Sequence, residues 1–334
     1  MIARATECFE FAGAADDDDT SHVALLVANR GDGTLVNACF DELGDFLRAG
    51  DLLVVNTSAT LPAALPAWLQ GEPLELHLST PAGGREWVVE LRSTDRGPMR
   101  APVGATLDLP GSATAELLAP YLGSSRLAVA RLRLDGAVED YLRRHGRPIR
   151  YRHSSDELPI DAYQTIFARH PGSAEMPSAA RPFTPELVTE LVARGILMAP
   201  ITLHCGVSSL EAGETPYPER YRVPPETARV VNAVRDWGGR VIAVGTTVVR
   251  ALETVAAPDG SLSAGSGLTR LVVTPERGLR AVDGLVTGWH EPESSHLQLL
   301  EAAAGPELLR RSYDAAQAAG YRFHEFGDSH LILR

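Results

Sequence analysis

The chain has 334 residues, of which 44% are hydrophobic, and a net charge of −12. This length and composition suit one large or two medium globular domains and argue against a mainly disordered chain. A protein that binds nucleic acid usually presents a basic face, so the acidic balance weakens a role in nucleic-acid binding. Apolar runs such as Val23–Ala28 are too short to cross a bilayer, and no basic-then-apolar leader opens the sequence. We therefore expect a cytoplasmic protein without membrane contact.

The cysteines give a second indication of compartment. Cys8, Cys39 and Cys205 are odd in number, widely spaced and without a CxxC pair. This pattern argues against a disulfide framework and against structural zinc, and it fits a reducing compartment.

The first 65 residues show an α/β pattern. Val23–Ala28 and Leu35–Phe40 are predicted strands on either side of a turn. The segment 41–48 has apolar residues at helical spacing, with Gly50 as a stop signal, and Asp51–Asn56 is a predicted buried strand.

Between residues 66 and 150 the sequence changes to short segments of alternating apolar and polar residues, separated by Pro- and Gly-rich turns. These segments are Leu74–Leu78, Trp87–Arg92, Thr106–Leu109 and Arg126–Leu134. Such a pattern is typical of a small β-barrel or sandwich. We predict an inserted β domain at 66–150, which interrupts a discontinuous α/β domain made of 1–65 and 151–334.

After residue 155 strands and helices alternate again. Thr184 is a predicted N-cap, followed by Pro185 at the first helical position. The other predicted elements are strands at Ile196–His204, Val241–Gly245, Leu268–Thr274, Leu279–Thr287, Tyr321–Phe326 and Leu331–Leu333, and helices at Pro224–Trp237, after Thr247, and up to Gln317. This alternation indicates a largely parallel, two-faced sheet or an open barrel.

The sharpest local signal is a buried strand that ends at Gly245 and leads through Thr246 and Thr247 into a helix that carries Arg250. Ligands of α/β sheets bind at the carboxyl ends of strands, and the free N–H groups of a helix start favour polar or anionic groups. A threonine that only caps the helix is the competing interpretation, but two threonines and an arginine exceed what a cap needs.

Other candidate residues also follow predicted strands. His204 follows an apolar strand, and His290 follows the segment that begins near Asp283 and precedes Ser294. Each histidine could equally be a structural, hydrogen-bonded side chain. No metal-ligand spacing, GxSxG elbow or phosphate-binding glycine loop accompanies them, so we expect neither a metal enzyme nor a serine hydrolase.

Six sequence blocks resemble, in order, the S-adenosylmethionine:tRNA ribosyltransferase-isomerase family of queuosine biosynthesis. They are GDLLVVNTSATLPAAL at 50–65, YQTIFARHPGSAEMPSAARPFTPEL at 163–187, ITLHCG at 201–206, GGRVIAVGTTVVRALET at 238–254, VDGLVTGWHEPESS at 282–295 and GYRFHEFGDSHLI at 320–332. The resemblance implies a large, open-barrel-like α/β domain interrupted by a small β-barrel. It also implies transfer of the ribosyl group of S-adenosylmethionine, used as co-substrate, to a 7-aminomethyl-7-deazaguanine base in tRNA, with isomerisation and release of adenine and methionine.

The resemblance assigns the site residues. Arg250, His204 and His290 are implied to be catalytic, with the two histidines handling protons. The implied substrate-binding residues are Tyr163, Gln164, Thr165, Glu219, Thr246, Thr247, Asp283, Ser294 and Asp328. No metal is implied.

The chain also departs from the family pattern. The family's NDTRVIPARL is NTSATLPAAL at 56–65, so both arginines are missing, and its HMHxE segment keeps only Glu219. Lost cationic and imidazole groups are the types that would hold tRNA phosphates or the acceptor base. Two alternatives to the family reaction follow: a diverged enzyme that acts on S-adenosylmethionine or a related nucleoside without tRNA, and a non-catalytic nucleoside-binding protein.

Overall fold

The computed structural model describes residues 23–93, 97–151, 158–207, 216–290 and 296–334. The strands are β1 Ala24–Asn29, β2 Leu35–Cys39, β3 Leu52–Asn56, β4 Ser58–Thr60, β5 Ala64–Leu69, β6 Glu72–Gly83, β7 Glu86–Arg92, β8 Pro98–Met99, β9 Thr106–Leu109, β10 Ala113–Pro120, β11 Leu127–Arg133, β12 His170–Ser173, β13 Leu197–Leu203, β14 Glu219–Val223, β15 Val241–Val244, β16 Gly265–Thr269, β17 Gly284–Gly288 and β18 Ser329–Leu333. The α-helices are α1 Val138–His145, α2 Pro185–Ala193, α3 Pro225–Asp236, α4 Thr246–Val255, α5 His296–Ala304 and α6 Pro306–Ala319. Short 3₁₀ turns lie at Phe40–Asp45, Pro110–Ser112, Tyr121–Gly123, Ile160–Tyr163 and Ser178–Ala180.

A nine-stranded mixed sheet forms the larger part of the molecule, in the order β16-β14-β13-β3-β15-β17-β18-β1-β2. Its centre is parallel, because β3 pairs in parallel with β13 and β15, and β15 pairs in parallel with β17. The predicted α/β class is confirmed. The four parallel strands end on one edge, which is where this class of sheet binds ligands.

Strand β3 shows why the sheet is covered on both faces. Leu52 and Val54 pack into one apolar cluster with α3 and α4, whereas Leu53 and Val55 pack into another with Phe183 and Leu187. Successive side chains of a strand point to opposite faces, so a continuous apolar run needs cover on both sides. Helix α2 supplies part of that cover. Its predicted cap is confirmed, since Thr184 Oγ1 accepts the Leu187 N–H at 3.1 Å.

The second sheet closes into a barrel. Its strands run in the order β11-β10-β9-β5-β6-β7, β11 also pairs with β7, and the short β8 extends from β7. Every second residue of β6, Leu74, Leu76 and Leu78, points into the barrel core. The predicted small β-barrel is therefore confirmed. Its strands span residues 64–133, and the boundaries at 66 and 150 remain a prediction.

The chain enters and leaves the barrel at one place. The Ala64 N–H donates to the Arg147 carbonyl at 2.9 Å, and the Arg147 N–H donates to the Ala64 carbonyl at 2.9 Å. This antiparallel bridge holds the first barrel strand against the segment that follows α1.

Several predicted elements are wrong in extent or type. The predicted helix at 41–48 is a 3₁₀ turn, Phe40–Asp45. The predicted strand Leu268–Thr274 ends at Thr269, because the Leu271 carbonyl accepts the Arg250 Nε–H rather than a strand partner. The predicted strand Leu279–Thr287 begins only at Gly284, because the backbone N–H groups of residues 280 and 281 donate to the Glu253 carboxylate.

Two further features differ from the sequence-based expectations. Residues 321–326 form no strand, because Asp328 accepts the Arg322 N–H at 2.7 Å and closes a turn. Cys39 is disulfide-bonded, although the cysteine pattern argues against a disulfide framework, whereas Cys205 is a free, buried thiol.

A buried ion pair in the barrel leads to a stability prediction. Glu90 is fully buried and accepts hydrogen bonds from Arg126 Nη1 at 2.5 Å and from Arg92 Nε at 2.7 Å. Glu90→Gln removes the buried negative charge that both Arg126 and Arg92 contact, so we expect the free energy of unfolding to fall by about 3 kcal/mol. Glu116→Gln, which removes an exposed partner of Arg133, is the matched control and costs less than about 1 kcal/mol. Urea denaturation of both variants measures the difference, and equal losses would contradict the prediction.

Candidate active site

A cavity of 720 Å³ lies between the carboxyl edge of the large sheet and the barrel. Its sheet wall is built from residues that follow the ends of the parallel strands, and its other wall comes from strands β6 and β7. Six of the predicted site residues line it: His204, Glu219, Thr246, Thr247, Arg250 and His290. A volume in this range suits a small-molecule ligand.

Asn56, at the end of β3, forms side-chain hydrogen bonds to the end of β13 and to the helix start that follows β15. Its side-chain amide donates to the Leu203 carbonyl at 2.8 Å and to Thr247 Oγ1 at 3.3 Å. Its Oδ1 accepts the N–H groups of Leu203 and Ser58, each at 3.0 Å. Because this side chain is fully buried and satisfied, it fixes the spacing between β3, β13 and the start of α4.

The turn into α4 requires a glycine. Gly245 has a φ of 102°, a region that disfavours residues with a Cβ, and a Cβ there would also lie 3.4 Å from that of Ala179. Within the described residues, no side chain caps the start of α4. The interpretation of the threonines as simple caps therefore does not hold, and Thr246 and Thr247 line the cavity at a helix N-terminus.

Arg250, one turn into α4, forms an ion pair with Glu219 at the start of β14. Its Nε–H also donates to the Leu271 carbonyl at 3.2 Å. Its Nη2 is buried and has no hydrogen-bond partner among the described residues. A buried donor without a partner is costly, so a ligand oxygen in the cavity would satisfy it.

Glu219 is buried beneath this arginine. Burial raises the pKa of the Glu219 carboxyl, and the Arg250 guanidinium opposes that shift. Its Oε1 accepts the Gly206 N–H at 3.3 Å. The pair is therefore mutually dependent, because each charge is desolvated and has the other as its counterion.

His204 follows β13 and lines the cavity beside Ser58. Its Nδ1 lies 2.8 Å from Ser58 Oγ. Burial, followed by the positive charges of Arg220 and His170, lowers its pKa to about 4. The imidazole is therefore neutral at pH 7. Gly172 is required next to it, because a Cβ there would approach Nδ1 to 2.5 Å.

His290 lies at the end of β17, as its position in the sequence predicts. Its Nε2 is 3.2 Å from Thr287 Oγ1, and its backbone carbonyl accepts the Tyr313 hydroxyl at 3.1 Å. Tyr313 on α6 thereby holds the backbone of His290, and the imidazole lines the cavity.

The barrel wall of the cavity was missed by sequence reasoning. Glu75, His77 and Ser79 alternate along β6 with the leucines that fill the barrel core, and all three line the cavity. His77 Nε2 lies 3.2 Å from Glu75 Oε2. This hydrogen bond lowers the pKa of Glu75 to about 2, with Arg147 contributing and burial opposing, so the carboxylate stays ionised. Period-two alternation, with polar residues on the outer face of a barrel strand, was the signal that could have found them.

The predicted binding tripeptide does not reach the cavity. Tyr163 is buried in an aromatic cluster with Tyr151 and Phe326, at centroid distances of 5.8 and 5.3 Å. The Gln164 amide bonds both the N–H and the carbonyl of Thr60, at 3.0 and 2.9 Å. Thr165 is buried and is not part of the cavity wall. These contacts hold the segment next to β4.

Two predicted carboxylates are also engaged elsewhere. Asp283 lies at the start of β17, on the opposite edge of the sheet, and accepts the Val241 N–H at 2.9 Å. Asp328 is buried and accepts the N–H groups of Ala24 and Arg322, at 3.0 and 2.7 Å. Neither lines the cavity. Ser294 lies outside the described residues.

In the described part of the chain, no group of three or more His, Cys, Asp or Glu residues is arranged to hold a metal ion. Over the same residues, no helix is both long and apolar enough to cross a membrane.

The buried histidines predict a pH dependence of stability. Burial lowers the pKa of His330, which stacks on Trp289 at 4.6 Å, to about 3, and the pKa of His204 is about 4. The unfolded chain protonates its histidines near pH 6.5, so it binds more protons than the folded chain below that pH. We expect the free energy of unfolding to fall as the pH is lowered from 7.5 to 5, a window above the titration of ordinary carboxylates.

His330→Phe is the variant that checks this prediction. Both ring nitrogens of His330 are buried without a hydrogen-bond partner in the described residues, so a phenyl ring removes two unsatisfied groups. We expect the variant to be more stable than the wild type at pH 5 and to lose less stability between pH 7.5 and 5. Guanidinium denaturation at both pH values measures this, and identical slopes for the two proteins would refute it.

Comparison with known proteins identifies the family. The model of a family described as "Queuosine biosynthesis protein" matches residues 13–332. Proteins from Symbiobacterium thermophilum and Moorella thermoacetica, both named S-adenosylmethionine:tRNA ribosyltransferase-isomerase, are 38% identical over 327 and 321 residues, with 92% of each chain covered. The crystal structure of S-adenosylmethionine tRNA ribosyltransferase from Thermotoga maritima superposes with a TM-score of 0.52 at 28% identity, covering 94% of this chain and 93% of that one. The chain therefore belongs to the S-adenosylmethionine:tRNA ribosyltransferase-isomerase family.

Proposed function

We propose that the chain transfers and isomerises the ribosyl group of S-adenosylmethionine onto a 7-aminomethyl-7-deazaguanine base in tRNA, a step of queuosine biosynthesis. The products are an epoxycyclopentanediol-modified base, adenine and methionine. The observation that carries the proposal is the gathering of six family-matched polar residues around one cavity. A tRNA substrate also favours the predicted cytoplasmic location.

The chemistry places three demands on the site. A base must remove the proton next to the sulfonium, a polar group must ease the departure of adenine, and water must be kept from reactive intermediates. The cavity supplies two imidazoles, His204 and His290, and is enclosed by the sheet edge on one side and the barrel on the other. Arg250 Nη2 is a buried donor for a ligand oxygen.

The charges of the cavity suit S-adenosylmethionine. The substrate carries a positive sulfonium and a positive ammonium group, and the ionised Glu75 lies on the barrel wall. A carboxylate at a few ångströms from a cation stabilises it strongly in a partly desolvated site. Glu75, which also pairs with Arg147, is the carboxylate of the barrel wall that we assign to the cationic part of the substrates.

The two alternatives drawn from the missing arginines are not favoured. Relatives that bear the full enzyme name match 92% of the chain at 38% identity, which includes both the sheet and the barrel.

The test is product release. Purified protein is incubated with S-adenosylmethionine and tRNA bearing 7-aminomethyl-7-deazaguanine, and adenine and methionine are measured by mass spectrometry. The same tRNA with guanine at that position is the matched control. Release that depends on the aminomethyl base supports the proposal. Release without tRNA would replace it by a small-molecule activity, and binding without release would replace it by a non-catalytic role.

A further inference from the structure

His204 stands at the end of a buried chain of hydroxyl groups. The Cys205 N–H donates to Ser173 Oγ at 2.9 Å. Ser173 Oγ lies 2.6 Å from Ser58 Oγ, which lies 2.8 Å from His204 Nδ1. Both serines are buried, and the Cys205 thiol is the only further side-chain partner of either hydroxyl among the described residues.

The direction of these hydrogen bonds follows from counting protons. Ser173 Oγ accepts from the Cys205 N–H, and its own proton goes to Ser58 Oγ at 2.6 Å rather than to the Cys205 sulfur, because sulfur is a weak acceptor. Ser58 then cannot donate back to Ser173, and its proton goes to His204 Nδ1. The opposite direction would send the Ser173 proton to the Cys205 sulfur, which accepts hydrogen bonds more weakly than the Ser58 oxygen or an imidazole nitrogen does.

We infer that Ser173 and Ser58 hold His204 in the Nε2–H tautomer, so that the imidazole presents a hydrogen-bond donor, and not a base, to the cavity. The neighbouring Gly172 supports this orientation. A Cβ at Gly172 would lie next to Nδ1, Cε1 and Cγ, so the ring edge that carries Nε2 is the one left for the cavity. Nε2 has no hydrogen-bond partner among the described residues.

A tautomer is defined only for an imidazole that carries one proton, and the His204 ring is neutral at pH 7. Its pKa is lowered to about 4, so at pH 7 the ring carries one proton, and the serines decide on which nitrogen. Ser58 and Ser173 are thus positioning residues that act through His204.

The role of this donor rests on the proposed function. A fixed N–H aimed into the cavity can bond a ring nitrogen of the departing adenine and stabilise the charge that develops there. The proton next to the sulfonium is then removed by another group. The resemblance to the family implies only that His204 handles protons. In the Nε2–H tautomer His204 acts as a hydrogen-bond donor, and the role of a base is excluded.

The tautomer can be measured without any substrate. Protein labelled with ¹⁵N-histidine is examined by long-range ¹H–¹⁵N correlation NMR at pH 7, and the His204 signals are identified by their loss in His204→Leu. We expect a pyridine-type, unprotonated Nδ1 and a pyrrole-type, protonated Nε2. A protonated Nδ1 in the wild-type protein would overturn the inference, whether or not the enzyme acts on tRNA.

A serine variant tests the positioning role. Ser58→Ala removes the donor to Nδ1, so we expect signals of both tautomers and a fall in kcat of roughly 10-fold or more with a smaller change in KM. The matched control is Ser312→Ala, which removes a buried serine hydroxyl bonded to the Leu308 carbonyl in α6, outside the cavity. An unchanged His204 spectrum in Ser58→Ala would overturn the role of the hydroxyl chain. Normal tautomer signals together with absent turnover in the wild-type protein would instead count against the proposed function alone.

Discussion

Arg250→Met is expected to lower kcat/KM for S-adenosylmethionine by at least about 30-fold. The substitution removes the buried Nη2 donor and the only cation paired with Glu219 among the described residues. A desolvated, charge-assisted contact with a ligand is worth roughly 2–5 kcal/mol, which corresponds to this loss or more. Steady-state kinetics with S-adenosylmethionine and modified tRNA measure the effect.

Loss of stability must be separated from loss of contact, because the single variant leaves Glu219 buried without its counterion. The double variant Arg250→Met/Glu219→Gln removes both charges, so we expect it to recover much of the stability while turnover stays low.

The chain offers a matched pair for this experiment. Arg240 and Asp51 form a similar ion pair at the opposite edge of the sheet, where Arg240 Nε lies 3.1 Å from Asp51 Oδ1, and neither residue lines the cavity. Arg240→Met/Asp51→Asn should keep the turnover of the folded fraction. Wild-type kinetics in both double variants would show that Arg250 does not contribute to substrate binding or turnover.

His204→Leu is expected to reduce kcat by roughly 100-fold to 1,000-fold, the usual cost of removing one donor that stabilises developing charge. Leucine fills a similar volume and has no hydrogen-bonding group, so the cavity keeps its wall and loses the N–H. The change should fall mainly on kcat, because the donor is needed when adenine leaves.

His170→Leu is the control for this variant. His170 lies on β12 next to Ser58 in strand register, but its side chain is exposed and does not line the cavity. We expect its kinetics to stay within about twofold of the wild type, as for other surface substitutions. A small effect of His204→Leu on kcat, with a well-folded protein, would exclude a catalytic role for this imidazole.

The predicted site residues that line the cavity follow from one local rule each. The end of an apolar strand locates Thr246, Thr247, Arg250 and His204 at the carboxyl edge of the sheet, because parallel strands bring their ends together. Thr184 is a cap because its hydroxyl bonds the first free N–H groups of a helix.

The predicted site residues that do not line the cavity are polar groups with partners in the distant backbone. The Gln164 amide bonds Thr60, and the Asp283 carboxylate bonds the Val241 N–H, and both partners are far away in sequence. A motif shared with a family shows that such a residue is retained, but it does not show whether the side chain binds a ligand or the protein backbone. The barrel wall of the cavity was missed for a related reason, since an outer-face Glu75 and His77 look like ordinary surface residues until the second domain meets the sheet.

The paired hydrogen bonds between Ala64 and Arg147 hold the two ends of the barrel segment together, so the sheet wall and the barrel wall of the cavity can evolve independently. Because the chain leaves the sheet domain and returns to it at neighbouring positions, the residues between Ala64 and Arg147 can change in length or sequence without shifting the strands that carry Arg250 and His204. Exchange of whole barrels between relatives is the form of recombination that this architecture permits.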